Sequence, residues 1–336
     1  MSTEPDKRII AVFGATGYQG GSVVKHFHNN PATPNLVMRA LTRDPTSAKA
    51  VALSNTGVAV AQANLSDPST LKTALEGVHG VYLLTDFFAT FFTTLSAEAE
   101  TQQGINAFNV IASIPTIEHV IWSSAPSITH VSGGKYTNVV HMESKAKVTQ
   151  YVKEKLPEVW KKTTELYIGA YYQLWVQFPQ FFAPKKVEDG GAWVMSAPCG
   201  EGLILPGVDV RDTGATVHGI FLKRTELGGK TVSLVGDDTT GTGDRLKTWG
   251  KLLGQKTAWN KISDEVLVGN LSALGIPEML VTDMADTNFA FRDFEGKILH
   301  GEGIVQAKDI LPDGKKLTTW EEYVKTENWD SLIQSG

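Results

Sequence analysis

The chain has 336 residues, 42% apolar and 20% charged, enough to bury a full globular core and too apolar for a disordered chain. Its formal net charge is −5 and its pI lies near 5.9, so no overall positive field draws it to DNA or RNA. A single cysteine, Cys199, excludes an intrachain disulfide and a cysteine-built zinc site, and suits a reducing compartment; whether that thiol reacts depends on its surroundings.

The opening Met1-Ser2-Thr3-Glu4-Pro5-Asp6 is acidic and lacks the basic-then-apolar order of a secretory signal, so the chain reads as cytoplasmic, with the nucleus also open to it. Residues 81–92 and 166–182 are its most apolar stretches. They contain Asp86, or Gln173 and Gln177, and are too short and too interrupted to span a membrane. Through the first half, short β-branched runs alternate with amphipathic segments, the pattern of βαβ units on a parallel sheet. Strands are expected at 8–13, 36–41, 58–62, 80–84, 119–123 and 165–170, giving a doubly wound α/β fold.

The first strand runs into Gly14-Ala15-Thr16-Gly17-Tyr18-Gln19-Gly20 and then a helix. Glycines at this spacing allow a tight turn and let backbone N–H groups meet a pyrophosphate at the positive helix end, so the loop predicts a dinucleotide site. The second strand ends Leu41-Thr42-Arg43, with a guanidinium where an NAD enzyme usually offers a carboxylate to the ribose. That favours NADP(H), through the 2′-phosphate; the competing reading pairs Arg43 with Asp44 on the surface. Asn64 and Leu65 after the third strand would flank the adenine, and Thr85 and Asp86 after the fourth would line the floor beneath ribose and nicotinamide. Between these lies a short helix over 67–77, with Asp67 as N-cap, Pro68 in the first turn and Gly77 past its end.

Ser123 and Ser124 end a parallel strand on the ligand-binding side, where a hydroxyl either orients a substrate carbonyl or caps the next turn. The lysines 145, 147, 153, 155, 161 and 162 read as a solvated helix face. After Ala170 the pattern breaks: Pro179, Pro184, Gly190-Gly191, Pro198 and Pro206 punctuate short aromatic-rich pieces. The stretch 171–178 with Phe181 and Phe182 offers either core packing or a wall for a planar ligand. A helix over 212–224 and a strand over 231–235 return the chain to the sheet, and Thr319-x-x-Glu322 is a capping box for a last helix. The dinucleotide-binding domain is therefore expected over 1–170, completed by about 208–236, with 171–207 and 237–336 forming a smaller α+β lobe for substrate or partner. His26 and His28 do not share a helix face, and the histidines at 79, 119, 130, 218 and 300 are scattered, so no metal is expected.

The glycine loop, Leu41-Thr42-Arg43-Asp44-Pro45, residues 62–67, Leu84-Thr85-Asp86, Ile121-Trp122-Ser123-Ser124, the Lys145 helix, Gly169-Ala170-Tyr171-Tyr172 and residues 319–323 together resemble the NmrA-like group of atypical short-chain dehydrogenases over nearly the whole length. The resemblance implies an NADP-preferring Rossmann domain, a smaller C-terminal lobe and a cleft between them. It adds Ser123, Lys145, Ala170, Tyr171, Tyr172 and Gln173 to the expected cofactor contacts. Short-chain dehydrogenases use Tyr-x-x-x-Lys on one helix face, and here those positions hold His141 and Lys145. The run Glu143 to Val148 is also similar to isoflavone-reductase-like enzymes, which work with such a lysine and no partner tyrosine.

Two functions follow from these likenesses. One is an NADP(H)-dependent oxidoreductase of a small apolar or aromatic metabolite, in secondary metabolism by its likeness, with Lys145 and His141 as catalytic residues. The other is a non-catalytic sensor of the NADPH/NADP+ ratio that regulates a protein partner such as a transcription factor. Neither needs a metal, direct nucleic-acid contact or a membrane. Tyr136, Tyr171 and Tyr172 are phenols that would replace the missing acid, but nothing in the sequence sets them near the nicotinamide.

Overall fold

Successive side chains of a β-strand point to opposite faces, so a strand buried on both sides must be apolar throughout. The strands around the glycine loop meet that condition. In the computed structural model, which describes residues 7–28, 30–187, 191–294 and 297–334, the first strand sends Ile10 and Val12 to one core and Ala11 and Phe13 to the other. Residues 1–6 and Gly190, both read above, lie outside the described residues.

The strands in chain order are β1 Arg8–Val12, β2 Leu36–Thr42, β3 Ala59–Gln62, β4 Gly80–Leu84, β5 His119–Ser124, β6 Thr163–Ile168, β7 Ala170–Tyr171, β8 Lys185–Lys186, β9 Trp193–Ala197, β10 Gly207–Val208, β11 Thr231–Leu234, β12 Thr257–Lys261 and β13 Val305–Gln306. Eight form the main sheet in the order β13-β11-β6-β5-β4-β1-β2-β3, and every pairing in it is parallel. The order reverses between β1 and β4, the switch point where a doubly wound sheet opens its ligand crevice. The fold is thus the expected doubly wound α/β architecture.

Helices Tyr18–Phe27 and Thr213–Leu222 cover one face through Val23, Phe27, Val217 and Ile220. Helices Glu98–Ala112 and Val140–Lys155 cover the other through Phe108, Ile111, Val148 and Val152. Gly104 sets how closely this second pair approaches: a Cβ there would sit 2.5 Å from Val148 Cγ2. The contact also brings residues one turn earlier, Glu100 and Ser144, together.

Some strands differ from expectation. The sixth begins two residues early, at Thr163, and stops at Ile168, after which β7 leaves the main sheet to pair with β10. The eighth, β13, is only two residues long and carries no periodicity by which a sequence could announce it. Both helix signals hold: Asp67 accepts from Ser69 N ahead of Pro68–Ala74, and Thr319 and Glu322 form a reciprocal capping box on Trp320–Thr326.

Beyond the main sheet, β8, β9 and β12 form a small three-stranded sheet packed by an aromatic cluster of Trp193, Trp249, Trp320, Tyr323 and Trp329. Tyr172 and Trp175 belong to that cluster, their rings 5.0 and 4.9 Å from Trp320, so in the stretch 171–178 Tyr172 is core and Trp175 packs against it half-buried. Phe178 and Phe182 alone of its phenylalanines are substantially exposed. The lysines behave as a solvated face in part: Lys147 pairs with Glu98 and Lys161 with Glu158 at the surface, while Lys145 is drawn inward. Cys199 is buried, and that burial pushes its thiol up and disfavours the reactive thiolate.

His119, at the start of β5, is buried against Thr164, and desolvation, aided by the nearby Arg224 charge, lowers its pKa from 6.5 to about 4. The folded state therefore refuses a proton that the unfolded chain accepts. The resulting stability is complete above pH 6.5 and is lost as pH falls toward 4, by about 3 kcal/mol for a shift of this size. Urea midpoints should fall across that window, and His119→Gln should flatten the fall; an unchanged pH dependence in the variant would refute the assignment.

Candidate active site

The glycine loop leaves β1 with Gly14 at φ +61°, a left-handed backbone that favours glycine. Gly20 has no room for a side chain, since a Cβ would lie 2.4 Å from the Gly14 carbonyl oxygen and 2.5 Å from that of Phe13. Gly17 caps the helix Tyr18–Phe27 in extended conformation, and no side chain caps this end nor does an acid stand in its first turn. The first N–H groups of the helix are thus left for an external acceptor, and the positive helix end favours an anionic one. A dinucleotide pyrophosphate fits this cradle.

Gln19 is not free to meet a ligand through its side chain. Its Oε1 accepts from Tyr82 Oη at 2.6 Å and Ser123 Oγ at 2.8 Å, and its Nε2 donates to Tyr171 Oη. This hub ties the loop to β4, β5 and β7, and burial pushes the Tyr82 and Tyr171 phenols up. Tyr82 was not legible as part of the site, because a tyrosine inside an apolar strand reads as core.

At the end of β2, Arg43 is exposed and does not pair with Asp44. The Asp44 carboxylate instead accepts from Thr46 N at 2.8 Å and Thr46 Oγ1 at 2.6 Å, which holds it below the usual carboxylate range. Among the described residues no carboxylate pairs with the guanidinium. Thr42 Oγ1 bonds the Asp44 backbone, and Asn64 Oδ1 accepts from Ser66 N, closing the turn after β3 beside half-buried Leu65. Ala15 is buried and Thr16 half-buried in the loop, with Tyr18 exposed at the helix start.

The titratable groups gather past the end of β4, on the same edge of the parallel sheet as the glycine loop and Arg43. Lys145 Nζ donates to Thr85 Oγ1 at 3.3 Å and is paired with Glu100, a carboxylate 1% exposed that also accepts from Ser144 Oγ. One turn earlier on the same helix, His141 Nδ1 lies 2.7 and 2.9 Å from the two oxygens of Asp283, which is fully buried. Asp86 caps the helix Phe87–Thr94 by accepting from Ala89 N, so its carboxylate turns to the backbone. That helix sets the half-exposed Phe88 ring 5.7 Å from the His141 ring.

The remaining expected contacts divide. Tyr171 reaches the loop through Gln19, next to Ala170 in β7. Tyr172 and Gln173 do not: the Tyr172 ring is held in the aromatic cluster, and Gln173 bonds Asp209 at 2.6 Å and Val210 N at 3.1 Å. The reason is the pairing of β7 with β10, whose alternation points Tyr172 away from the loop when Tyr171 points toward it. Ser124 faces Thr149 at 3.1 Å, and Tyr136 donates to Asp293. His26 pairs with His218 at 3.0 Å, and among the described residues no group of three or more ligating side chains is placed to hold a metal.

A model of the NmrA-like family matches residues 6–324. The chain belongs to the NmrA-like family. Among its relatives, the NmrA-like family domain-containing oxidoreductase cpsB of Aspergillus campestris is 28% identical over 239 residues, 69% of each chain. Two solved structures share the fold. NmrA, a negative transcriptional regulator crystallised in complex with NAD, aligns with TM-score 0.74 at 21% identity over 96% of this chain and 95% of its own. The NADPH-dependent quinone oxidoreductase QOR2 of Escherichia coli, complexed with NADPH, gives 0.68 at 22% identity over 94% and 98%. Among the described residues of this NmrA-like protein, no helix is long and apolar enough to cross a membrane.

Of the residues that sequence reasoning missed, Glu100 left a signal. It shares one helix face with Gly104, Ala107, Phe108 and Ile111, all buried, so a charged residue stands on an inward stripe and needs a partner. Asp283 left none, being 142 positions from His141 in the chain.

Proposed function

We propose that this NmrA-like protein is an NADP(H)-dependent oxidoreductase acting on a small apolar or aromatic metabolite. The observation that carries the reading is the gathering of Lys145, His141, Glu100 and Asp283 on the same edge of the parallel sheet as the bare helix end and the exposed Arg43. Gly14, Ala15, Thr16, Gly17, Tyr18 and Gly20 hold the pyrophosphate through backbone, and Arg43 with Thr42 holds the 2′-phosphate. Asn64 and Leu65 border the adenine, and Thr85, Ser123, Ala170 and Tyr171 form or brace the floor toward the nicotinamide. Bound NADPH supplies hydride, and the chain's task is to orient the acceptor and deliver a proton from the Lys145–His141 turn. Phe88, half-exposed beside His141, offers a planar substrate an aromatic face.

Two measurements test this. Replacing Arg43 with alanine removes one charge-assisted contact, worth about 1.5–3 kcal/mol, so Kd for NADPH should rise roughly ten- to hundredfold. Kd for NADH should stay within about twofold, since it has no 2′-phosphate to lose. Equal losses for both cofactors would end the NADP(H) assignment. The oxidoreductase assignment is tested by NADPH oxidation with a panel of quinones, aromatic aldehydes and conjugated ketones; tight NADPH binding without turnover would replace it by the redox-sensor reading.

A further inference from the structure

The two candidate proton donors are not held alike. Lys145 Nζ is locked against Glu100, so a lysine that gave up its proton would strand a buried carboxylate without its cation. His141 is held from behind. Asp283 accepts from its backbone N–H at 3.1 Å and faces its Nδ1 with both oxygens, which fixes the proton on Nδ1. No hydrogen bond engages Nε2 among the described residues, and the side chain stays 26% exposed beside Phe88.

The carboxylate comes from helix Glu278–Asp293, far along the chain. The same helix grips the approach to His141 twice more: Asp286 accepts from Asn138 at 2.9 Å, and Asp293 accepts from Lys135 and Tyr136. Its Asp293 carboxyl is held below the usual range by those donors and Arg292, against the burial that raises it.

We infer that Asp283 is a positioning residue that presents His141 Nε2 to the substrate as the proton donor, with Lys145 a fixed cation beside it. The inference rests on the oxidoreductase reading. Bound NADPH would supply the hydride to a carbonyl carbon; the oxygen that receives the C=O π pair would take its proton from Nε2–H of the imidazolium, giving an alcohol. This would leave neutral His141 still bonded through Nδ1–H to Asp283, and the one proton consumed per turnover would be taken up from solvent at Nε2. The Asp283 carboxylate balances the imidazolium charge, the logic of a carboxylate behind a catalytic histidine.

Asp283→Asn preserves shape but offers an amide N–H to Nδ1, which favours the wrong tautomer. Two-dimensional 15N–1H spectra of histidine-labelled, cofactor-free protein should show neutral His141 protonated at Nδ1 in the native chain and at Nε2 in Asp283→Asn. With benzaldehyde and NADPH, His141→Gln and Asp283→Asn should each lower kcat about a hundredfold, with Kd for NADPH within about twofold. Asp286→Asn, which loosens the same helix contact without touching the imidazole, should keep kcat within about twofold. A native His141 protonated at Nε2, an unaltered spectrum in Asp283→Asn, or His141→Gln with near-native kcat would overturn the inference. No turnover by the native protein across the whole panel would remove the oxidoreductase reading and the proton role with it, while the tautomer result would still stand as structure.

Discussion

Gly20→Ala should lose both stability and dinucleotide affinity, because the added methyl meets two main-chain carbonyl oxygens at 2.4 and 2.5 Å. A flexible side chain could swing aside; backbone cannot without reopening the turn between β1 and its helix. Overpacking of a core typically costs about 1–3 kcal/mol, and a clash with backbone belongs at the top of that range or above it. The helix would shift outward from the sheet, and the uncapped N–H groups at Tyr18 and Gln19 would move with it. Gly17→Ala is the informative contrast. Its Cβ would lie 3.3 Å from the Gly14 oxygen in a backbone conformation open to any residue, so the fold should survive. Only the close approach of a pyrophosphate should suffer. Thermal melts and NADPH titrations of the two variants check this: a Gly20→Ala protein with native melting and native affinity would contradict the geometry of the turn.

Glu100→Ala should be the second large effect, and for an electrostatic reason. The carboxylate is almost wholly buried and holds both Lys145 and Ser144, so removing it leaves a half-buried cation with, among the described residues, only Thr85 as a hydrogen-bond partner. Breaking a buried pair from one side typically costs about 3–5 kcal/mol, far more than the pair is worth against an apolar replacement. Lys145 is 17% exposed and can relax toward solvent, which places the expected loss near the lower end of that range. The double variant Glu100→Ala, Lys145→Met should recover much of it, because neither charge is then stranded. Urea unfolding of the two singles and the double gives the coupling directly; additive losses would show that the pair is not coupled. Turnover should fall in all three, since each displaces the cation beside His141.

The two predictions fall on opposite sides of what a sequence makes legible. The geometry of the glycine loop could be read because it is local: three glycines, a preceding apolar strand and a following helix lie within a short run. The place of Arg43 was legible for the same reason, being tied to the end of a strand whose place in the sheet is fixed by the βαβ pattern. The aromatic stretch after Ala170 was ambiguous because a ring carries no mark of which neighbour it meets. The pairing of β7 with β10 resolves it, sending Tyr171 to Gln19 and Tyr172 to Trp320. Strand β13 stayed hidden because two residues have no period.

By itself, the sequence determined the doubly wound sheet, the bare helix end after the glycine loop, and the presence of His141 and Lys145 one turn apart where a tyrosine and lysine would usually stand. Those features depend on backbone periodicity and on residues close in the chain. Tertiary structure alone decided what stands behind the two side chains. Glu100 reaches Lys145 because Gly104 lets two helices close on each other, and Asp283 reaches His141 because a helix 142 positions away folds back over it. Such partners are chosen by distance in space, and a buried carboxylate finds its cation or its imidazole only after the core has packed.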